Sequence, residues 1–366
     1  MSARTSRCYG APYAATGYQM IRSLSVENYR CYERLRVEGC TRLNLIVGDN
    51  GTGKTSLLEA MFLALATSSE VAFRFRQQRG LDGFFGSTTR RIEDAIWGDF
   101  FHNYDTKKVI SVATEGDGDE TRSVRMAKGA SEVRLPLSDD GSESLTLPMA
   151  FTWTNAQNQS NTLVPKIDKS GFHFPETGED MANFFFHQAN TTTGSAEVAG
   201  RFSDLSRRNR HQNFVEVFCE EFGWVRDLRI EVSAGAPVVY ATLADSGVAI
   251  PLTNISGGIN HMVSIMLSVA HREKAVVLVD EIENGIYYKH HRYFWRALLK
   301  MLKENDSQLF VSTHSLECMN ALLEVAQDDL SSISVWRARR QGALHDVQII
   351  KGDDISLFRE FDEEIR

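Results

Sequence analysis

Residues 47–56 constrain the fold of this chain more than any other segment. They contain the pattern G-x-x-x-x-G-K-[ST], whose glycines let backbone N–H groups close around the phosphates of a nucleotide. The mostly apolar segment Leu43–Val47 predicts a buried strand before the loop, and residues 56–63 predict a helix after it. The positive N-terminus of such a helix points at the phosphates. The order of strand, loop and helix therefore predicts a site for a nucleoside triphosphate.

The residues of this loop have separate expected roles. Lys54 would reach the β- and γ-phosphates of the nucleotide, and Thr55 would bind Mg²⁺ through its hydroxyl group. The accidental match of a glycine-rich turn is the alternative, but the flanking strand and helix make it the weaker interpretation. The remaining nucleotide-binding candidates of the loop are Asn50, Gly51, Thr52, Gly53 and Ser56.

A second apolar run ends in two carboxylates. Residues 275–279 are apolar throughout and mostly β-branched, which is typical of a strand that is covered on both faces of a parallel sheet. Asp280 follows, and we expect it to stand beside the phosphate loop and complete the magnesium shell. Glu281 would then face the γ-phosphate, where a carboxylate can orient and activate water. An ordinary strand before a polar turn is the common alternative, which the phosphate loop in the same chain disfavours.

A third predicted strand, residues 308–313, leads into His314. Between the two strands, residues 286–304 predict a helix with one apolar face. Strand, helix and strand form a βαβ unit, which brings the ends of both strands to one edge of the sheet. A single histidine after a strand is more often structural than catalytic, but this connection places His314 near Glu281.

A fourth block, residues 255–260, contains Ser256, Gly257 and Gly258 just before a predicted helix at residues 261–272. A serine and two glycines that open a helix form a second anion-binding terminus. One chain does not need two such termini for one nucleotide, whereas two chains that face each other do. The block therefore predicts a nucleotide site that two copies share.

Together, these blocks resemble those of ABC-type ATPases, in which they occur in the same order. Residues 21–32, which contain Asn28, Tyr29 and Arg30, are similar to the start of the RecF/SMC/OLD branch. Residues 280–288 are similar to the small AAA-type ATPases of the OLD group, which occur in anti-phage systems. The resemblance implies an α/β fold of the P-loop NTPase class and ABC ATPase type, in which a mixed central sheet is joined by an antiparallel β subdomain and an inserted helical lobe.

The resemblance also implies how ATP and Mg²⁺ are held. In this family they lie between the two subunits of a homodimer, so each site would combine the phosphate loop of one copy with residues 256–258 of the other. Asp280 would belong to the metal site, together with Thr55 of the loop. Glu281 and His314 would be catalytic, and Arg30 would be a further nucleotide ligand.

A glutamine completes the implied site. In ABC-type proteins, a glutamine at the junction of the two lobes contacts magnesium and the attacking water. Residues 184–187 predict a buried strand that ends at Gln188, which makes Gln188 the candidate for this catalytic and metal-binding role. Gln77 and Gln78 are rival candidates, and an ordinary surface glutamine at a strand end is a nearly equal alternative.

Residues 1–19 are expected to be a disordered extension or a misassigned start, and residues 20–366 the ATPase domain. This domain would comprise a nucleotide-binding lobe (20–188 and 275–366) and a helical lobe that carries the Ser-Gly-Gly block (189–274). Shorter predicted elements are antiparallel strands at 108–114, 123–127, 132–135 and 145–153, a helical region at 196–222, and a hairpin of 333–337 with 344–350.

Composition limits the partners of the chain. A net charge of −8 and a pI near 5.7 argue against overall attraction to DNA. The arginines at 201–210 and 337–340, and the basic run 289–292, are expected to be solvated surface, so DNA is only a secondary candidate partner. No apolar run approaches the ~18 residues of a membrane helix. The five cysteines are scattered without metal-ligand spacing, which favours a reducing cytoplasm.

The leading functional hypothesis is a dimeric ATP-hydrolysing switch that gates a co-encoded effector, a nuclease or toxin, in anti-phage defence. Full-length OLD proteins carry a nuclease domain after the ATPase, and the short tail after His314 is expected to leave no room for one. The first alternative is a RecF-like DNA-repair ATPase that binds DNA directly. The second is a scaffold that ATP stabilises and that turns over little.

Overall fold

The structure of the protein is a computed structural model. It describes residues 20–79, 96–129, 133–136, 143–146, 148–168, 171–174, 183–189, 191, 193–352 and 354–355. The expected N-terminal extension, residues 1–19, lies outside the described residues.

The described helices and strands are numbered here in chain order. The helices are α1 Lys54–Leu65, α2 Ser69–Gln78, α3 Ser195–Arg207, α4 His211–Glu221, α5 Leu252–Ile255, α6 Gly257–His271, α7 His291–Glu304 and α8 Leu316–Val325. The strands are β1 Ile21–Tyr29, β2 Tyr32–Glu38, β3 Leu43–Val47, β4 Ile110–Gly116, β5 Thr121–Lys128, β6 Val133–Pro136, β7 Glu143–Thr146, β8 Met149–Thr154, β9 Ser160–Leu163, β10 Lys166–Asp168, β11 Gly171–His173, β12 Phe184–His187, β13 Val225–Ser233, β14 Ala236–Leu243, β15 Ala249–Pro251, β16 Val276–Val279, β17 Gln308–Ser312, β18 Ile333–Gln341 and β19 Leu344–Lys351.

The central sheet has the strand order β12-β16-β17-β3-β18-β19, in which only β19 runs antiparallel to its neighbour. Strands β3, β16 and β17 are buried along their whole length, as their largely apolar sequences predict. Their polar residues, Asn44, Gln308 and Ser312, are buried as well. Val279 pairs with Val311, which in turn pairs with Leu45. The predicted strands are confirmed, and their carboxyl ends meet at one edge of the sheet.

A second sheet, β2-β1-β4-β5-β8-β9, is entirely antiparallel and packs on α1. The indole of Trp153 donates a hydrogen bond to the Leu63 carbonyl (2.8 Å), which fixes this sheet to the helix after the phosphate loop. The predicted antiparallel strands are confirmed, except that residues 145–153 are not one strand. β7 and β8 belong to different sheets and are separated at Pro148, which has no N–H to offer a ladder.

The lobe between β12 and β16 contains helices and a sheet. The predicted helical region is confirmed as two helices, α3 and α4, because Asn209 between them has a left-handed backbone (φ 57°). The strands β13, β14 and β15 form a three-stranded antiparallel sheet that the sequence did not predict. Helix α6 begins at Gly257, four residues earlier than expected.

Helix α7 begins at His291, so the predicted start at residue 286 is wrong. Gly285 has a positive φ of 72°, and a short 3₁₀ turn, Tyr288–His290, precedes the helix. His291 is only 3% exposed, so the expected basic surface run 289–292 is interrupted by a buried imidazole. The hairpin of β18 and β19 is confirmed, with its turn at Gly342 (φ 64°). Among the described helices, none is long and apolar enough to cross a membrane.

Candidate nucleotide-binding site

A cavity of about 390 Å³ lies between the phosphate loop and the ends of β12 and β16. Gly51 and Gly53 have positive φ angles of 78° and 103°, which favour glycine. A Cβ atom on Gly53 would also lie 2.6 Å from the hydroxyl oxygen of Tyr32 and 2.7 Å from Sγ of Cys31. Backbone conformation and close packing therefore both require glycine at position 53, and the predicted loop residues Asn50, Gly51, Gly53, Lys54, Thr55 and Ser56 line the cavity. Thr52 is 5% exposed and donates from Oγ1 to the carbonyl of Asp49 (2.8 Å).

Lys54 is held inside this loop. Its Nζ donates to the carbonyl oxygens of Gly48 (2.5 Å) and Asp49 (3.0 Å), and the residue is 8% exposed. Burial lowers the pKa of Lys54, although the charges of Asp280 and Glu281 act in the opposite direction. A partly desolvated cation beside the loop N–H groups is suited to bind phosphate oxygens.

Three oxygen-bearing side chains fit the implied Mg²⁺. Thr55 Oγ1 donates to Asp280 Oδ2 (2.8 Å), and Ser312 Oγ donates to Asp280 Oδ1 (2.5 Å). Gln188 lines the same cavity, and its Oε1 is buried with no hydrogen-bond partner among the described residues. Hydroxyl, carboxylate and amide oxygens are the ligands that Mg²⁺ prefers, so Thr55, Asp280 and Gln188 would hold the ion. When bound, Mg²⁺ neutralises charge on the phosphates.

The candidate glutamines differ in whether they line the cavity. Gln78 also lines the cavity, whereas Gln77 is an exposed residue of α2 that is not part of the lining. Gln188 and Gln78 both stay candidates for the glutamine role.

Glu281 lies at the mouth of the cavity with its side chain 40% exposed. His314 follows β17, and its Nδ1 is 3.9 Å from Glu281 Oε1, which confirms that the two residues lie close together. A third group joins them: Glu283 Oε1 is 3.1 Å from His314 Nδ1. Glu283 was not predicted as a site residue; its only signal in the sequence is its position two residues after Glu281.

Arg30 is not among the described residues that line the cavity, so its role as a nucleotide ligand stays a prediction. Its guanidinium is buried and pairs with Glu59 (3.0 Å), below the ring faces of Tyr29 and Phe100. Glu59 does line the cavity and also pairs with Arg79, which lines it as well. Arg79 is thus a cation at the nucleotide cavity that sequence reasoning missed, and Arg30 supports it through Glu59.

The Ser-Gly-Gly block forms the start of α6, away from the phosphate loop. Ser256 Oγ accepts the N–H of Gly258 at 3.1 Å and so caps the helix. Ser256 and Gly258 line a separate cavity of about 310 Å³, together with Trp224 and Tyr287. Gly257 has open space around its Cα. None of the described residues that line the phosphate-loop cavity belongs to α6.

Comparisons with known proteins agree with this geometry. A family model described as the RecF/RecN/SMC N-terminal domain matches residues 20–334. An ATP/GTP phosphatase of Helicobacter pylori is 20% identical over 345 residues, which cover 84% of this chain and 89% of that protein. The DNA replication and repair protein RecF of Lachnoclostridium phytofermentans is 40% identical over 58 residues, only 16% of each chain.

Solved structures share the fold. An SMC head bound to the C-terminal winged-helix domain of ScpA aligns with a TM-score of 0.54 at 11% identity and covers 92% of this chain and 99% of that one. Because the identity is low, this likeness concerns the fold alone. The matched family, the relatives and the phosphate-loop geometry agree: the chain is an ATPase with an ABC-type P-loop fold and belongs to the RecF/RecN/SMC N-terminal domain family.

Proposed function

We propose that the protein is a homodimeric ATP switch, in which ATP closes two copies around two nucleotides and hydrolysis reopens them. The observation that carries this proposal is the separation of the two anion-binding helix starts within one chain. The phosphate loop opens on one cavity, and Ser256 at the start of α6 opens on another. A helix N-terminus favours an anion, and the nucleotide of a second copy supplies one.

Complementation between two inactive variants tests the shared site. Ser256→Arg leaves its own phosphate loop intact but blocks the facing copy, and Lys54→Ala spoils only its own phosphate site. Each variant alone is expected to lose ATP hydrolysis. A mixed dimer then contains one intact site, so a 1:1 mixture should recover about a quarter of the unmutated rate if sites act independently.

The matched control is Ser246→Arg, the same substitution at an exposed position of the turn between β14 and β15. It is expected to hydrolyse ATP normally. Normal hydrolysis by Ser256→Arg alone would mean that the site is complete within one chain, and the dimeric proposal would then be wrong.

We further propose that the output of the switch comes from a co-encoded effector, a nuclease or toxin that acts in anti-phage defence. The support is the similarity of residues 280–288 to the small OLD-group ATPases. The loop that carries these residues is joined directly to the site, since Asn284 Nδ2 donates to the carbonyl of Ala189 (2.6 Å), next to Gln188. A partner that contacts this exposed loop would therefore sense the state of the nucleotide.

Direct DNA binding, as in RecF-like repair ATPases, is the second candidate function. It is favoured by the sequence identity of a short segment with a RecF protein. Several guanidinium groups of the local basic clusters are engaged within the chain, however. Arg201 pairs with Glu197, Arg207 with Asp204, and Arg339 with Asp346. The third candidate, an ATP-stabilised scaffold, would show tight ATP binding with negligible turnover even beside its partner.

A further inference from the structure

Glu283, which is not among the residues lining the nucleotide cavity, holds His314 at two points. Its Oε1 accepts the backbone N–H of His314 at 2.9 Å and lies 3.1 Å from Nδ1 of the same residue. The Glu283 side chain is 10% exposed, whereas that of His314 is 53% exposed. A nearly buried acceptor thus contacts an imidazole that is half exposed to solvent.

The two glutamates of this loop have different surroundings. Glu281 lines the nucleotide cavity, is 40% exposed, and keeps its Oε1 3.9 Å from His314 Nδ1, beyond hydrogen-bond distance. Glu283 lies within that distance. The geometry therefore separates a carboxylate that faces the nucleotide from one that faces the histidine.

The backbone around Glu283 is anchored on both sides. The N–H of Ile282 donates to the carbonyl of Ser312 (3.1 Å), and the N–H of Ile286 donates to the carbonyl of Glu283 (2.9 Å). On the inner side, Oε2 of Glu283 is buried without a hydrogen-bond partner among the described residues. The buried imidazole of His291 is near enough for the charge of Glu283 to raise its pKa, against a larger lowering by burial.

The chemistry of this pair fixes where the proton of His314 resides. An ionised carboxylate has only acceptor oxygens, so a lone pair on Nδ1 of His314 would face the lone pairs of Glu283 Oε1 at 3.1 Å. This contact favours the form of His314 in which Nδ1 carries a hydrogen. The hydrogen bond at one ring nitrogen decides the protonation of the other. In the neutral imidazole, Nε2 is then a hydrogen-bond acceptor, and it donates only when the ring is doubly protonated.

We propose that Glu283 is a positioning residue for ATP hydrolysis, which holds His314 in the Nδ1–H form. The other ring nitrogen, Nε2, is then available to groups in the cavity that His314 lines. Gly48, Asp49 and Asn50 of the phosphate loop line the same cavity. In this form, Nε2 accepts a hydrogen bond from water, and contact with a phosphate oxygen requires a second proton. The inference rests on the ATPase site itself and does not depend on the dimer.

NMR of the nucleotide-free protein with ¹⁵N-labelled histidine tests the tautomer. Measured above the pH at which the His314 signals stop titrating, the unmutated protein should show His314 with hydrogen on Nδ1. The signals are assigned by their loss in His314→Asn. In Glu283→Ala, the hydrogen should move to Nε2, the form that free histidine prefers in water. An Nε2–H form in the unmutated protein would overturn the proposal.

Kinetics test whether this positioning matters for hydrolysis. Glu283→Ala should lower kcat about 10- to 100-fold, the scale of a misplaced catalytic group. The KM for ATP should stay within about twofold, because ground-state binding is untouched. Glu283→Gln keeps a carbonyl acceptor of the same reach and should recover most of the lost rate. Glu324→Ala, which removes a carboxylate paired with Arg292 at the far end of α8, is the matched control and should leave kcat unchanged.

A double mutant separates positioning from a general structural effect. If Glu283 acts through His314, Glu283→Ala should cost no further activity in a His314→Ala background. An equal loss in both backgrounds would contradict the proposal. If Glu283→Ala lowers the thermal midpoint of the protein, the same double-mutant cycle is measured with Glu283→Gln instead. A Glu283→Gln variant that folds normally and keeps the Nδ1–H form of His314, yet is as slow as Glu283→Ala, would also contradict the proposal.

Discussion

A single hydroxyl group contacts both acidic residues that follow β16, the side chain of Asp280 and the backbone of Glu281. Ser312 Oγ donates to Asp280 Oδ1 (2.5 Å) and accepts the N–H of Glu281 (2.8 Å). Glu281 has a φ of 52°, a backbone region that costs a residue other than glycine about 1–3 kcal/mol. Such a conformation persists only when its surroundings fix it, and the bond to Ser312 does so. The direction of the Glu281 side chain is therefore set by β17 as much as by its own strand.

This arrangement predicts different effects for two substitutions at the site. Glu281→Gln keeps shape and backbone bonds but removes the base, so turnover should fall roughly 10²-fold or more while ATP binding persists. Lys54→Ala removes the charge that faces the phosphates and should weaken ATP binding itself. Titration with a fluorescent ATP analogue and steady-state phosphate release measure the two effects. Turnover of Glu281→Gln near the unmutated rate would remove Glu281 from the catalytic role.

Site residues that belong to one sequence motif could be predicted, whereas residues that reach the site through contacts between distant segments could not. Asp280 and Glu281 were found because they end an apolar strand, and that pattern is visible in a single segment. Arg79 lines the cavity only because α2 folds back over α1, where Glu59 binds it. Ser312 looks like any polar residue at a strand end. Contacts between distant segments depend on packing that a local pattern does not contain.

The same distinction holds for whole elements. Strands β3, β16 and β17 were predicted because strands covered on both faces are largely apolar runs. β13, β14 and β15 were all missed. Exposed and half-buried residues dominate β13 and the first half of β14, and β15 has only three residues, so none of them gives a clear period of two in the sequence. The start of α7 was placed too early because the sequence carries no glycine or proline between Gly285 and His291, whereas a 3₁₀ turn, Tyr288–His290, delays the helix in the structure.

Two adjacent glycines at the start of α6 give a matched prediction of stability. A Cβ atom on Gly258 would overlap the carbonyl oxygen of Gly285, while one on Gly257 would meet nothing within 4 Å. Gly258→Ala should therefore lower the free energy of unfolding by about 1–3 kcal/mol through overpacking. Gly257→Ala should be neutral or stabilise by up to about 1 kcal/mol. Denaturant unfolding of the nucleotide-free protein measures the free energy of unfolding of both variants. Equal stability of the two variants would contradict the close packing of α6 on the backbone of Gly285.

At the scale of the whole molecule, several basic side chains form contacts within the chain. The net charge is −8, and several arginines that form local basic clusters pair with acidic neighbours or with backbone carbonyls. Arg208, for example, donates to the carbonyl of His271 (3.0 Å). Lysine and arginine side chains bind nucleic acids by neutralising phosphates and releasing the counterions condensed on the nucleic acid, so they must be free to reach the phosphates. We therefore expect this ATPase to bind duplex DNA only weakly.

This view predicts how the purified protein behaves with DNA. It should hydrolyse ATP slowly, leave duplex DNA intact, and bind it only in the non-specific range of about 10⁻⁴–10⁻⁶ M at physiological salt, with no change on adding ATP. Gel-based cleavage assays and fluorescence anisotropy measure these properties, with Lys54→Ala as the control for ATP dependence. Nuclease or toxic activity should emerge only when a co-encoded component is added. Tight duplex binding that requires ATP would instead favour the RecF-like role. Cleavage by this polypeptide alone, lost in Lys54→Ala, would mean that the chain carries its own nuclease site and needs no separate effector.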